Sequence, residues 1–220
     1  MRNTVTLIVV GALIGACASG PPVPDWESNA KTAMDHALAA YLTGDTRLAA
    51  SDFERVRSEI ARTGRIDLLG RAELVRCAAR VASLVFEPCE GFEKLRPDSA
   101  APERAYADYL AARVQPQDIA LLPPQHHAVA SATLSADNAA GTLRAIEDPL
   151  SRLVAIGVLF QAGRANPTAI ALAADTASAQ GWRRPLLAWL NVQLALAEKA
   201  GDAVDAAQLR RRIAIVQGDK

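Results

Sequence analysis

"ALAAYLTGDTRLAASDFERVR" (residues 37–57) reads as a helix, a joint and a second helix, and that reading decides the fold class. Before the joint, Ala30, Met34, Ala37 and Tyr41 recur at helical spacing and share a face. After it, Ala49, Phe53, Val56 and Ile60 follow, spaced four, three and four apart. The break is Thr43-Gly44-Asp45, with Asp45 available as the next N-cap. A second stretch, "LALAEKAGDAVDAAQLRRRI" (residues 194–213), has the same plan. Each ends a helix on Gly-Asp and places an alanine five residues after the glycine, Ala49 in one and Ala206 in the other.

Working outward, a third helix carries Leu74, Cys77, Val81 and Val85 on one stripe, with Pro88 as its stop. Beyond it, "RPDSAAP", "VQPQD" and "LLPPQHH" divide residues 88–127 into short helices around 101–113 and 116–122. Regularity returns with helix starts at Ser135 or Asp137, at Asp148-Pro149 and at Asn166-Pro167. Proline just inside a helix start, with Asp or Asn before it as the cap, is a favoured arrangement. The chain closes on a helical pair. Leu186, Leu187, Trp189, Leu190, Val192 and Leu194 make the penultimate helix apolar on most sides, so it is expected to be an inner one. The last helix shows a narrower stripe of Ala206, Leu209, Ile213 and Val216.

Composition agrees with an all-α chain. Half of the 220 residues are hydrophobic, enough for a sizeable core, and aromatics are only 5%. Alanine, the best helix former, is abundant, and β-branched residues seldom cluster after the first segment. Lys+Arg and Asp+Glu balance at 24 each, so no basic field exists to hold a phosphate backbone, and nucleic acid is not expected as a partner.

The two Gly-Asp pairs resemble the tetratricopeptide repeat, in which small residues let paired helices pack closely. Phe53 holds the aromatic position of that pattern; Arg210 stands there in the second pair, and neither pair has the closing proline. The expected architecture is therefore antiparallel helical pairs stacked as a tetratricopeptide-like α-solenoid, or else a compact helical bundle.

The opening "TLIVVGALIGACASGPPVPDW" (residues 6–26) carries a second resemblance. Its apolar run is shorter than the roughly 20 residues that cross a bilayer. Arg2 precedes it, and Gly15 and Ala16 sit just before Cys17. "LIGAC" resembles the lipobox of bacterial lipoproteins, with Gly15 a less usual occupant of its position. The resemblance implies a signal peptide at 1–16, cleaved before Cys17, and acylation of Cys17. Several acyl chains on one residue anchor stably where one chain is marginal. Ala18, where aspartate would favour inner-membrane retention in that family, leans toward the outer membrane. Residues 17–24 are then the lipidated cysteine and a proline-rich tether, of which Ala18 to Pro24 reach about 23 Å at most, and residues 25–217 form the helical domain.

In that oxidising compartment, Cys77 and Cys89 are an even pair and suggest a disulfide, with two buried free thiols as the alternative. His126-His127 are adjacent, point about 100° apart on a helix, and are read as a solvated turn; His36 is distant in sequence. No metal or other cofactor is expected. Arg210, Arg211 and Arg212 complement the last helix's dipole, with contact to lipid phosphates as the other reading. Arg183 and Arg184 stand unfavourably at a helix start and need acidic partners or a neighbouring helix end to cap. Trp26, Trp182 and Trp189 are read as core, Trp26 also as an interfacial residue. Glu27-Ser28 has the residue types of lytic transglycosylases but precedes any core and lacks their glycine-rich continuation, so no enzyme is expected.

The function these readings support is an outer-membrane lipoprotein facing the periplasm that binds another envelope protein. A lipid or glycan carrier and, further off, a peptidoglycan-active enzyme are the alternatives. Replacing Cys17 with serine is expected to abolish incorporation of labelled fatty acid; unchanged labelling would refute the anchor.

Overall fold

The computed structural model describes residues 23–131 and 136–218. Cys17, the leader and all but the last two residues of the tether lie outside them, as does the helix start offered at Ser135. The chain is all-α. Among the described residues the α-helices are α1 (Asp25–Thr43), α2 (Thr46–Ala61), α3 (Ile66–Ala82), α4 (Glu90–Glu93), α5 (Ala101–Leu110), α6 (Pro124–Ala130), α7 (Ala136–Arg144), α8 (Pro149–Gln161), α9 (Pro167–Ala179), α10 (Arg183–Ala200) and α11 (Ala203–Gln217). Two 3-10 turns, Arg96–Asp98 and Pro116–Leu121, fill the choppy middle. No described helix is long and apolar enough to cross a membrane.

The two Gly-Asp joints are built alike. Gly44 and Gly201 take left-handed φ values of 104° and 73°. The next residue turns its N–H back to a carbonyl in the last helical turn, Asp45 to Ala40 at 2.8 Å and Asp202 to Ala197 at 2.9 Å. Each aspartate then caps the following helix, accepting from Leu48 and Asp205 respectively, both at 2.9 Å. Ala49 and Ala206 are both buried, so the small residues sit where paired helices touch. The Asp148 and Asn166 caps also form, accepting from Ser151 at 2.6 Å and Ala169 at 2.8 Å.

Alanine dominates the interior. Ala33, Ala82, Ala155, Ala169, Ala173, Ala174 and Ala177 are essentially inaccessible. Two apolar clusters result. The smaller joins α1 and α2 to the start of α3 through Ala33, Phe53, Val56 and Ala72. The larger runs from Leu74, Cys77, Val81 and Ala82 of α3 through α5 to α11. α3 therefore belongs to both and packs against α1, α2, α5 and α8. α1 also touches α10. Contacts such as α3 with α8 and α1 with α10 join elements distant in sequence.

Two details depart from the sequence reading. α3 stops at Ala82, well before Pro88, because the chain turns left-handed at Leu84 (φ 60°), with Val85 N–H returning to the Arg80 carbonyl at 2.9 Å. That Schellman-type stop uses leucine where glycine is usual, so no breaker in the sequence marks it. α10 is an inner helix on one side only. Leu186, Trp189 and Leu190 are buried, whereas Leu187, Val192 and Leu194 are half-buried and Leu196 is exposed.

His126 is a third departure. It is not on a solvated turn but buried on α6, 1% exposed, with Nδ1 3.1 Å from the Tyr109 hydroxyl and its ring against Tyr106 and Tyr109. His127 Nε2 lies 2.7 Å from the Leu122 carbonyl oxygen. Burial lowers the His126 pKa to about 4, against the weaker opposing pull of Asp148. The unfolded chain binds this proton first, near its ordinary value of about 6.5, so the neutral ring's contribution is complete above that pH and is lost as pH falls toward 4. We expect urea titrations to show about 2 kcal/mol lost between pH 7 and pH 5. In His126→Phe the protein is less stable throughout, but that slope should vanish; a wild-type stability that is flat over the interval would contradict the assignment.

Candidate functional site

Cys77 and Cys89 are joined as a disulfide, Cα–Cα 5.9 Å, across twelve residues of sequence. The bridge folds the segment after α3 back along that helix and places the start of α4 against it. There Gly91 meets the Glu73 carboxylate so closely that a Cβ would overlap it.

The other sequence candidates separate. His36 is exposed on α1, whereas His126 is buried on α6. No group of three or more His, Cys, Asp or Glu side chains that could hold a metal occurs among the described residues. Glu27 and Ser28 are exposed in the first turn of α1. Arg210 pairs with Glu198 at 2.5 Å, which ties α11 to the end of α10. Trp189 is fully buried and donates through Nε1 to the Ala82 carbonyl at 3.1 Å; Trp26 and Trp182 are half-buried.

Arg184 resolves the puzzle of cations at a helix start. It caps a neighbouring helix: Nε donates to the Tyr41 carbonyl in the last turn of α1 at 2.6 Å, and Nη2 donates to the Thr46 hydroxyl at 2.7 Å. The guanidinium also stacks on the Tyr41 ring, 4.3 Å from its centroid. The negative end of α1 thereby offsets the positive start of α10. Arg183 lies over Gly44, close to where a side chain at that glycine would be.

The Arg184 contact closes one end of a cleft of about 320 Å³ between α1, α2 and the second half of α3. Ala37, Ala49 and Ala79 floor it, and Met34, Leu38, Tyr41, Phe53 and Val85 wall it. Three arginines and no acidic residue line it. Arg76 stacks on Phe53, 4.8 Å from the ring centroid, and stands 3.8 Å from the Glu73 carboxylate, too far for a hydrogen bond. Arg80 pairs with Glu87. Burial raises the Tyr41 pKa above its ordinary value, opposed by the charges of Arg184 and Arg80, a hydrogen bond with Ser83 and the charge of Arg76.

Behind Arg76 and Arg80 lies a second, polar cleft, lined by Arg57, Glu73, Glu87, Glu90, Lys94 and the disulfide among others. Glu73 is 2% exposed and receives Arg57 at 2.5 Å. Burial pushes its carboxyl above the ordinary range, against the pull of Arg57 and Arg76. Arg76 and Arg80 are therefore a shared wall, with apolar side chains on one flank and ion pairs on the other.

Sequence reasoning singled out none of Arg57, Glu73, Arg76 or Arg80. The signal was present in part: Arg76 and Arg80 stand four apart, on one face of α3. No protein-family model matches this chain, and comparison with curated proteins and with solved structures finds no match either.

Reducing and alkylating the Cys77–Cys89 bridge should lower the unfolding free energy by about 3 kcal/mol, the loop-entropy value for a closure of this size. Denaturant titration with and without reductant measures it. Equal stabilities, or alkylation of both thiols without reductant, would refute a structural bridge.

Proposed function

We propose that this chain is a lipid-anchored helical scaffold on the periplasmic face of the outer membrane, with no catalytic role, and that it seats a segment of another envelope protein in the cleft between α1, α2 and α3. The observation that carries the recognition step is the lining of that cleft: an alanine floor, apolar walls and three guanidiniums on elements that the fold holds rigidly. Small floor residues leave room for side chains supplied from outside. Arg184 is fixed by two hydrogen bonds and a ring, and Arg76 by its ring, so their ordering cost is met before a partner arrives. The lipobox-like "LIGAC" supports the anchor, and the lean toward the outer membrane rests on Ala18. A carrier of whole lipids or glycans calls for an enclosed apolar cavity, whereas this cleft opens to solvent and is small for such a cargo.

A photo-crosslinking residue placed at Ala50, which is exposed at the lip of the cleft, should give a discrete protein adduct in living cells. The same residue at Ala128, exposed on α6, should not. No adduct from Ala50, or equal adducts from both positions, would overturn the proposal.

A further inference from the structure

The arginines of the cleft say more about its occupant than the apolar walls do. Arg80 already spends part of its donor fork on Glu87, and Arg184 on Tyr41 and Thr46. Arg76 makes no hydrogen bond to the described residues: its ion pair with Glu73 is long, and Glu73 is taken at shorter range by Arg57. The Arg76 guanidinium carbon sits over the Phe53 ring, 4.8 Å from its centroid, which leaves its donors available to an incoming acceptor. Arg76 side-chain exposure is 46%, so the guanidinium is reachable from solvent, and no acidic side chain lines the cleft itself. Glu73 and Glu87 belong to the polar flank beyond the arginine wall.

From this arrangement we infer that the cleft selects a peptide segment in which a carboxylate side chain follows apolar residues. The apolar side chains pack between Leu38, Met34 and Phe53, and the carboxylate accepts hydrogen bonds from Arg76 with Arg80 beside it. The charge complementarity argues for an acidic partner, and the volume of about 320 Å³ suits one or two large side chains better than a complete amphiphile. Arginine binds carboxylates through paired donors, and a hydrogen bond to a charged group on a partly desolvated floor outweighs one to a neutral amide. The inference rests on the scaffold reading above and adds the chemistry of what is seated.

The experiment uses the full mature protein and an array of apolar hexapeptides, each displayed once with Glu and once with Gln at the same position. Binders should prefer Glu over Gln by about tenfold or more. Arg76→Gln should erase that preference, so that the Glu and Gln members of each pair bind alike, and Ala50→Trp, which plugs the cleft from an exposed position, should remove binding of both. A Glu preference that survives Arg76→Gln, or pairs that bind equally, would overturn the carboxylate assignment while leaving the crosslinking result at Ala50 intact. Palmitate binding that is blocked by Ala50→Trp, with no peptide bound, would overturn it in favour of a lipid. Absence of any Ala50 adduct in cells would instead remove the scaffold reading beneath it.

Discussion

Everything in this fold is arranged around the point where α8 crosses the end of α3. A Cβ at Gly157 would stand 2.5 Å from the Val81 carbonyl oxygen, so the two backbones meet there with no side chain between them. One residue on, the Ala82 carbonyl receives the indole N–H of Trp189, which fastens α10 to the same helix end. An exposed helix terminus would satisfy such a carbonyl with water; here it is sealed and supplied with a donor. With α3 held by α8 on one side and α10 beyond, its opposite flank faces α1 and α2, and the cleft forms where that contact is incomplete.

Arg184 and the disulfide complete the frame from opposite ends. The arginine joins the close of α1 to the opening of α10 across more than half the chain, and the disulfide pins the return segment to α3. Both constraints border the arginine-lined surface. Its geometry is thus fixed by one covalent bond, two hydrogen bonds and two stacked rings, none of which depends on an occupant.

Most of the helices were legible in the sequence because their signals are local. The Gly44-Asp45 and Gly201-Asp202 joints, the Asp148 and Asn166 caps and the Ala49–Phe53–Val56–Ile60 stripe can each be read from a few adjacent residues. The pairing of Cys77 with Cys89 was legible too, because they are the two cysteines left once Cys17 is set apart. What stayed hidden was non-local or atypical. Leu84 adopts a glycine's backbone angles, so the end of α3 left no mark. His126 looked solvated beside prolines and a glutamine, yet Tyr109, seventeen residues earlier, draws it inside. The arginine wall needed α1, α2, α3 and α10 in place before Arg76, Arg80 and Arg184 could be seen to face one another. Sequence offered the alternatives for Arg184; only the fold could choose the helix end it caps.

The alanine interior has a mechanical consequence. Leucine-rich cores absorb a disturbance by changing rotamers, but alanine has none to change. Where Ala33, Ala173, Ala174 and Ala177 hold neighbouring backbones together, any added volume must displace a whole helix as a rigid rod.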